Sequence, residues 1–256
     1  MLIKTLLKKQ LMQRAAAVLF ALLVWQAAAL AVNDHLLLAS PVQVAGRLFA
    51  LVGTESFWAT LLNSGVRIVF GFLMGLITGV CLAILAGRFK WLEMLVWPFV
   101  VTIKSIPVAS FVILVIIWLG GALHLSVFIS FLMVFPVIYL NTLQGLQSTD
   151  PKMLEMAKMF RLSSGQKLKY IYLPHLQPFL TGGCSIALGL SWKSGVAAEL
   201  IGVPDFTIGD MLYRAKVNWN TEELFAWTFV IILASLMFEK LFLYILKSSF
   251  REVMKS

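Results

Sequence analysis

Charged residues are scarce in this chain, and their scarcity excludes an ordinary soluble domain. Of its 256 residues only 13% are Asp, Glu, Lys or Arg, whereas 60% are hydrophobic. Soluble domains carry about 25% charged and about 45–50% apolar residues. The composition therefore predicts a protein that crosses a lipid bilayer several times.

Cysteine and histidine are also rare. Cys81 and Cys184 both fall inside predicted spans, so they are interpreted as small apolar residues and not as a disulfide. The three histidines, His35, His124 and His175, are scattered at predicted span edges. Since they form no cluster with metal-ligand spacing, no metal site is expected.

The chain lacks the usual signatures of an enzyme or of a nucleic-acid-binding protein. It has no GxxxxGK loop to cradle nucleotide phosphates, and no nucleophile stands at a recognisable spacing from a base. No cofactor or catalytic residue is therefore expected, and any ATP must be bound and hydrolysed by another protein. The net charge of +9 does not indicate nucleic acid, because the basic residues lie in short loops without interleaved aromatic side chains.

Long apolar runs make up most of the chain. A helix needs about 20 apolar residues to cross a bilayer. The six predicted spans cover about 15–33, 57–87, 91–119, 124–146, 175–202 and 224–246. We therefore predict a single all-α transmembrane domain over residues 1–256.

The N-terminal region leaves two interpretations open. Residues 1–14 are basic and amphipathic, which is typical of a segment at the cytoplasmic membrane interface, and the first span follows them. A cleaved signal peptide is the alternative, because the start is basic and the end of the run is rich in Ala. The apolar run is somewhat long for a signal peptide, and cleavage would not change the orientation of the rest.

Glycine and proline mark two of the spans. Gly71, Gly75 and Gly79 recur every fourth residue, a spacing that lets another helix approach backbone to backbone. The approaching helix is either internal or part of a second subunit. The span over 91–119 is too long for a simple crossing, and Pro107 predicts a break near residues 103–107.

The distribution of Lys and Arg predicts the orientation, because cytoplasmic loops carry an excess of both. With six spans, both termini lie on the same side of the membrane as the polar loop 148–174. That side has most of the cations: Lys4, Lys8, Lys9, Arg14, Arg88, Lys90, Lys152, Lys158, Arg161, Lys167, Lys169, Lys247, Arg251 and Lys255. The opposite side has Arg47, Arg214 and Lys216. Both termini and the polar loop are therefore predicted to be cytoplasmic.

The polar loop 148–174 is predicted to form two short helices. Asp150 can cap the first helix with Pro151 at its first position, and Ser163 or Ser164 can cap a second helix that Pro174 stops. An apolar stripe follows one face of the first helix at Met153, Met156, Ala157 and Phe160. Such a stripe is typical of a helix that docks into a groove on a soluble partner.

The loop resembles that of the inner-membrane permease subunits of ABC importers that work with a binding protein. The family pattern is Glu-Ala-Ala, three residues, Gly, nine residues, Ile, one residue, Leu-Pro. The matching residues are Glu155, Ala157, Ile171, Leu173 and Pro174. Met156 replaces the second Ala and Arg161 replaces the Gly; because Arg adopts positive φ at a cost, Gly165 is expected to provide the bend instead.

Residues 104–120 and 191–202 are similar to segments of the nitrate/sulfonate/taurine-type branch, and the resemblance covers about residues 55–250. It implies a type I importer permease in the bacterial inner membrane. The implied partners are a second permease subunit, expected to be identical, a pair of cytoplasmic ATPases and an external solute-binding protein. The loop residues are then the contacts that couple ATP hydrolysis to transport.

Among the ionisable residues inside or near the predicted spans, four are singled out: Arg67, Lys104, Lys193 and Glu199. Charge in hydrocarbon is costly, so such residues usually face protein or water. One interpretation is a path for a small anionic solute, lined by Lys104, Ser105, Pro107, Lys193 and Glu199, with Ser110 and Ser191 adding hydrogen bonds. The other is internal pairing of Lys193 with Glu199, with Arg67 close to the outer interface.

Two other classes of protein remain as alternatives. A gradient-driven transporter or channel would not need the polar loop, and many such folds contain inverted repeats with broken helices, which this sequence does not display. A membrane scaffold without transport activity is the third hypothesis. Co-purification with a P-loop ATPase distinguishes the three.

Overall fold

The computed structural model describes residues 2–32, 34, 36–119, 121–122 and 124–255, and helices account for most of them. The α-helices of this part are α1 (Leu2–Val32), α2 (Pro41–Val52), α3 (Glu55–Arg88), α4 (Lys90–Ser105), α5 (Val108–Leu119), α6 (Leu125–Gln147), α7 (Pro151–Met159), α8 (Ser164–Lys167), α9 (Leu173–Gly202), α10 (Ile208–Val217) and α11 (Thr221–Lys255). A π-helical turn, Leu168–Tyr172, joins α8 to α9. The chain is thus an all-α protein, as the long apolar runs predicted.

Several helices begin at the side chains that their sequences suggest. The hydroxyl of Ser40 accepts a hydrogen bond from the N–H of Gln43, and the backbone N–H of Ser40 donates one to the side-chain oxygen of Gln43. Ser163 and Gln166 form the same reciprocal pair at the start of α8. Asp150 caps α7, with Pro151 in the first turn, where its missing N–H would have no partner in the helix.

The predicted break in the third apolar run is present. α4 ends at Ser105, Ile106 is extended with ψ 132°, and α5 starts after Pro107. The two helices differ in direction by 108°. The cause is local, because the proline ring disfavours a helical conformation for the residue that precedes it.

Four of the described helices are long and apolar enough to cross a membrane: Ala15–Val32 within α1, α3, α6 and Thr221–Val253 within α11. The bent pair of α4 and α5 makes a fifth if it is counted as one span. α9 is 30 residues long and covers the predicted fifth span, but its apolar character falls short of the same test. Six spans and the side of each terminus therefore stay predictions.

The chain forms two compact units. The first comprises residues 1–59 and 211–230. Its described core joins Ala39 and Val44 to Ala226. The indole N–H of Trp25 donates to the carbonyl of Ala39 over 3.1 Å, and the ring of Trp25 stacks on Phe229 at 5.8 Å. These contacts tie α1 to α2 and to the start of α11.

The second unit comprises residues 60–210 and 231–256, and α6 lies at its centre. α6 is the most buried of the candidate spans, with 61% of its most apolar window inside the protein. Phe72 of α3, Ile138 of α6 and Leu188 of α9 are completely buried in one shared cluster. α6 therefore has protein rather than lipid around most of its length.

The glycine ladder of α3 lies against α6. A methyl group added at Gly75 would lie 2.8 Å from Cβ of Val134, and one at Gly79 would lie 3.0 Å from Cβ of Ile138. One added at Gly71 would collide with the carbonyl oxygen of Val127. Of the two alternatives for the glycine ladder, these contacts support the internal one, in which α3 packs against α6 of the same chain. Residues larger than glycine at these positions would push α3 away from α6.

Two details of the sequence interpretation are wrong. Pro174 does not stop a helix: the helical backbone continues from α8 through the π-helical turn into α9, and Pro174 lies in the first turn of α9, where a proline is tolerated. The predicted bounds 224–246 are also too short for the last helix, since α11 continues to Lys255.

The contact at Gly71 yields a test. Gly71→Ala is expected to destabilise the protein by about 1–3 kcal/mol, the usual cost of overpacking a tight core. The measurement is thermal unfolding of the purified protein in detergent. Gly182→Ala in α9 is the matched control, because an added Cβ there meets nothing within 4 Å. Equal stability of both variants would contradict a close approach of α3 to α6.

Candidate coupling loop and solute pathway

The first helix of the polar loop exposes most of its apolar residues. Met153 is 40% exposed, Met156 is 49% exposed and Phe160 is 73% exposed. Ala157 differs, because it is completely buried. Exposed methionine and phenylalanine side chains in a polar loop form a surface that a partner protein can cover.

The loop residues singled out by their resemblance divide into two groups. Ala157 and Ile171 are buried and attach the loop to its own chain, while Leu173 and Pro174 are half-buried at the start of α9. Glu155, Met156, Phe160, Arg161 and Gly165 are exposed. Residues of the first group position the loop, and residues of the second group are available to a partner.

The bend after α7 occurs at Arg161, whose φ is 53°. The N–H of Leu162 donates to the carbonyl of Ala157 over 2.9 Å, and that of Arg161 donates to the carbonyl of Lys158 over 3.0 Å. This pair of hydrogen bonds is the Schellman motif, which requires a left-handed residue at the position that Arg161 occupies. The expectation for Gly165 is therefore wrong: Gly165 lies inside α8, away from the left-handed region.

Lys104, Ser105 and Pro107 lie together at the break between α4 and α5, and all three are exposed. The hydroxyl of Ser105 donates to the carbonyl of Val101 over 2.9 Å, which is a helix-internal bond. Among the described residues, Lys104 forms no salt bridge. The ammonium group is therefore available to water or to a solute.

Lys193 and Glu199 do not pair, although both belong to α9. Lys193 is exposed and forms no salt bridge within the described part of the chain, whereas Glu199 is completely buried. Gly182 and Gly189 lie on the side of α9 that carries Lys193, and a Cβ added at either would meet nothing within 4 Å. α9 thus has one open face with small residues and a cation.

Glu199 belongs to a buried polar cluster. Its Oε2 accepts a hydrogen bond of 2.7 Å from the hydroxyl of Ser64, which in turn accepts one of 2.9 Å from the N–H of Ile208. The N–H of Gly209 points to the same Oε2 at 3.4 Å. Arg67 interacts with the carboxylate electrostatically. The cluster holds the first residues of α10 against α3 and α9, so the structure gives Glu199 a positioning role.

The sequence interpretation missed several residues that contact these site residues. Gly209 packs so closely on Glu199 that any side chain would collide with it, a contact that brings together residues from two elements. Glu239 accepts a hydrogen bond from the hydroxyl of Ser185. A signal for Glu239 was present, because it is a carboxylate within the predicted span 224–246. Nothing in the local sequence around Ser64 or Gly209 indicated their partner.

The fold and the loop together define a class: a helical membrane protein with an exposed apolar surface on a polar loop. Residues 71–251 match the family described as binding-protein-dependent transport system inner membrane component. This match covers more than half of the chain, and the chain therefore belongs to that family. It is a multi-pass inner-membrane subunit of an ABC importer, and its role is transport rather than catalysis.

Relatives with known names support the branch and differ in solute. SsuC of Bacillus subtilis, provisionally named an aliphatic sulfonates transport permease, is 28% identical over 79% of this chain and 74% of its own length. The riboflavin transport permease RibX of Chloroflexus aurantiacus is 28% identical over 88% of this chain and 82% of its own. The taurine transport permease TauC of Escherichia coli is 26% identical over 69% of this chain and 66% of its own length. The chain belongs to the nitrate/sulfonate/taurine branch.

A crystal structure of an amino acid ABC transporter with histidines has the same fold. The TM-score is 0.59 at 15% sequence identity, and the match covers 80% of this chain and 97% of the other. At this identity the similarity concerns the arrangement of helices alone. It is consistent with the family assignment.

The strained bend at Arg161 yields a second test. Arg161→Gly is expected to stabilise the protein slightly, by about 1 kcal/mol, because a non-glycine residue in the left-handed region costs about that much. Thermal unfolding of the purified permease measures the change. Gly165→Ala is the control, since Gly165 lies within α8 with open space around it. Destabilisation by Arg161→Gly would contradict the left-handed bend.

Proposed function

We propose that the chain is one of two identical permease subunits in an importer driven by a pair of cytoplasmic ATPases and fed by an external binding protein. The observation that carries the proposal is the apolar surface on the loop after α6. Met159 is 84% exposed and Phe160 73% exposed in a segment that is otherwise polar. Large exposed apolar side chains at a loop tip are typical anchors for a groove on a partner.

The proposed orientation puts six spans in the membrane, with both termini and the loop 148–174 in the cytoplasm. The asymmetry of Lys and Arg supports this topology, because the loop alone carries five of them. An ATPase in the cytoplasm can then reach α7 and α8. The binding protein approaches from the opposite side, where the segments around α2 and α10 lie in this topology.

The mechanism that we propose transmits force along one continuous helical path. α8, the π-helical turn and α9 follow one another without a non-helical residue between Ser164 and Gly202. A movement of the docked loop would therefore turn or shift α9 as a unit. α9 carries both Lys193 and the buried Glu199. Closure of the ATPase pair would therefore reorient the open face of α9, so that it becomes accessible from the other side of the membrane.

The solute that we propose is a small anion or carries an anionic group. Two observations support this: Lys193 stands on an open face of α9, and Lys104 stands beside the break between α4 and α5. Neither forms a salt bridge within the described residues. A cation without a counter-charge in a water-filled, low-dielectric passage concentrates anions. The relatives whose names refer to sulfonates and to taurine carry solutes with an anionic group. The relative whose name refers to riboflavin does not require an anionic solute.

The coupling role predicts a specific loss of docking. Phe160→Ala is expected to weaken the complex with the ATPase by about 2 kcal/mol or more, a loss of about 30-fold in affinity, because truncation of an aromatic anchor at an interface commonly costs this much. The measurement is co-purification of the ATPase with the permease, followed by uptake in vesicles.

Phe49→Ala is the matched control for this experiment. Phe49 is 80% exposed, similar to Phe160, but it lies in α2, on the opposite side in the proposed topology. Its truncation should leave ATPase binding unchanged. If Phe160→Ala retained wild-type co-purification and uptake, the loop would not be the docking surface.

The anion path predicts a loss of transport without a loss of assembly. Lys193→Met is expected to lower the apparent rate of solute capture by at least about tenfold, because it removes the field that concentrates anions. Uptake is measured in a complex whose assembly and basal ATPase activity match the wild type. Lys90→Met, at the first residue of α4, controls for the loss of one positive charge. Wild-type uptake with Lys193→Met, or a neutral solute in the partner binding protein, would overturn the anion proposal.

A further inference from the structure

The first turn of α10 is held by side chains of two other helices. The N–H of Ile208 donates to the hydroxyl of Ser64 in α3 over 2.9 Å, and the N–H of Gly209 points to the carboxylate of Glu199 in α9 at 3.4 Å. The first N–H groups of a helix have no partner within it, so these oxygens satisfy donors that would otherwise be unpaired. A carboxylate suits this position, because the start of a helix carries partial positive charge. Glu199 therefore fixes the place where α10 begins.

The backbones of α9 and α10 approach each other closely at the same point. A methyl group added at Gly209 would lie 2.3 Å from Cβ of Glu199 and 2.4 Å from the backbone nitrogen of Leu200. Only glycine permits such a contact without a shift of one helix. Ser64 adds a hydrogen bond of 2.7 Å to Glu199. The first turn of α10 therefore follows any movement of the end of α9.

The connector between α9 and α10, residues 203–207, does not act as a flexible hinge. Val203 has φ 47° and Phe206 has φ 56°, and left-handed backbone at residues other than glycine persists only where surrounding contacts offset its cost. These contacts are present. The N–H of Val203 donates to the carbonyl of Glu199 over 2.7 Å, and the carbonyl of Phe206 accepts a hydrogen bond of 2.9 Å from Nδ2 of Asn63. α3 and α9 thus hold the connector in one conformation.

α9 is long enough to join opposite surfaces of the membrane. At about 1.5 Å per residue, the stretch from Leu173 to Glu199 is about 39 Å long. A bilayer with its headgroups is about 40–45 Å thick. In the proposed topology the coupling loop precedes α9 in the cytoplasm, so Glu199 lies close to the external surface. The same helix therefore begins at the loop and ends at the carboxylate that holds α10.

We infer that Glu199 is the positioning residue that couples the cytoplasmic loop to the external segment 203–210. When the docked loop shifts α9, the carboxylate carries the start of α10 with it. The nucleotide state of the ATPases then changes the surface that this segment presents to the external binding protein, including the side chain of Phe206, which is 72% exposed. Coupling of this kind is reciprocal, so a protein bound to the segment also acts on the ATPases. The inference rests on the proposed complex with cytoplasmic ATPases.

The test follows hydrogen–deuterium exchange of residues 203–210 in the permease–ATPase complex in lipid nanodiscs, without nucleotide and with ADP and vanadate. In the wild type, exchange rates in this segment are expected to differ by at least about fivefold between the two states, the lower end of typical coupling between sites. Glu199→Gln keeps the shape of the side chain, removes its charge and weakens its hydrogen bonds, so the difference should fall below about twofold.

The design separates coupling from a merely structural role. If Glu199 only stabilised the segment, Glu199→Gln would raise exchange equally in both states and leave the difference between them unchanged. Glu55→Gln is the matched control, because Glu55 is an exposed carboxylate at the start of α3 that forms no salt bridge with any described residue. It should keep the wild-type difference. Ser64→Ala removes the hydrogen bonds to Glu199 and to Ile208, and it serves as the second variant if Glu199→Gln does not fold.

The inference is overturned if the segment of Glu199→Gln still responds to nucleotide as the wild type does. A wild-type segment that does not respond, in a complex that binds the ATPase and hydrolyses ATP, also overturns it and leaves the proposed function intact. Failure of the wild-type permease to bind the ATPase at all would instead contradict the proposed function, and the inference with it.

Discussion

The close approach of α3 and α9 to α6 is the contact on which the second unit depends. Between helices in a bilayer the hydrophobic effect contributes little, so association depends on van der Waals packing and on hydrogen bonds between helices. Glycine permits both here: a methyl group added at Gly195 of α9 would lie 2.7 Å from the hydroxyl oxygen of Ser130 in α6. Ser130 in turn donates to the carbonyl of Ser191 over 3.1 Å. With α6 enclosed in this way, its neighbours are free to present their other faces to lipid, solute or partner.

In this arrangement, buried residues hold a segment in place, and different, exposed residues of the same segment are left to contact other molecules. Ala157 and Ile171 are buried and fix the loop, so Phe160 can be exposed without the loop becoming loose. Glu199 is buried and holds the start of α10, and Lys193, on the open face of the same helix, forms no salt bridge with any described residue. In each pair, the residue buried by tertiary contacts makes the exposed one available. The proposed transport mechanism needs this division, because in it α9 moves as a unit while the contact surface of the loop stays ordered.

Much of the architecture could be predicted from local patterns. Asp150 and Pro151 start α7, and α4 ends just before Pro107. Both boundaries are predictable because capping and the steric effect of proline involve only neighbouring residues. The position of the loop bend was predicted wrongly for a related reason. The preference for glycine in the left-handed region is about 1 kcal/mol, and two hydrogen bonds at the end of α7 outweigh it at Arg161.

The sequence by itself therefore determined the class of protein, the apolar runs, the polar loop and the break at Pro107, because hydropathy and local sterics need no knowledge of distant contacts. Only the tertiary structure decided what each polar residue in these runs does. Whether Glu199 pairs with Lys193 or with Ser64 depends on which helix lies beside α9, and helix neighbours are set by packing over separations of more than a hundred residues. The hydrogen bond between Glu93 of α4 and Gln147 of α6 is of the same kind, since the two helices must meet before either side chain has a partner.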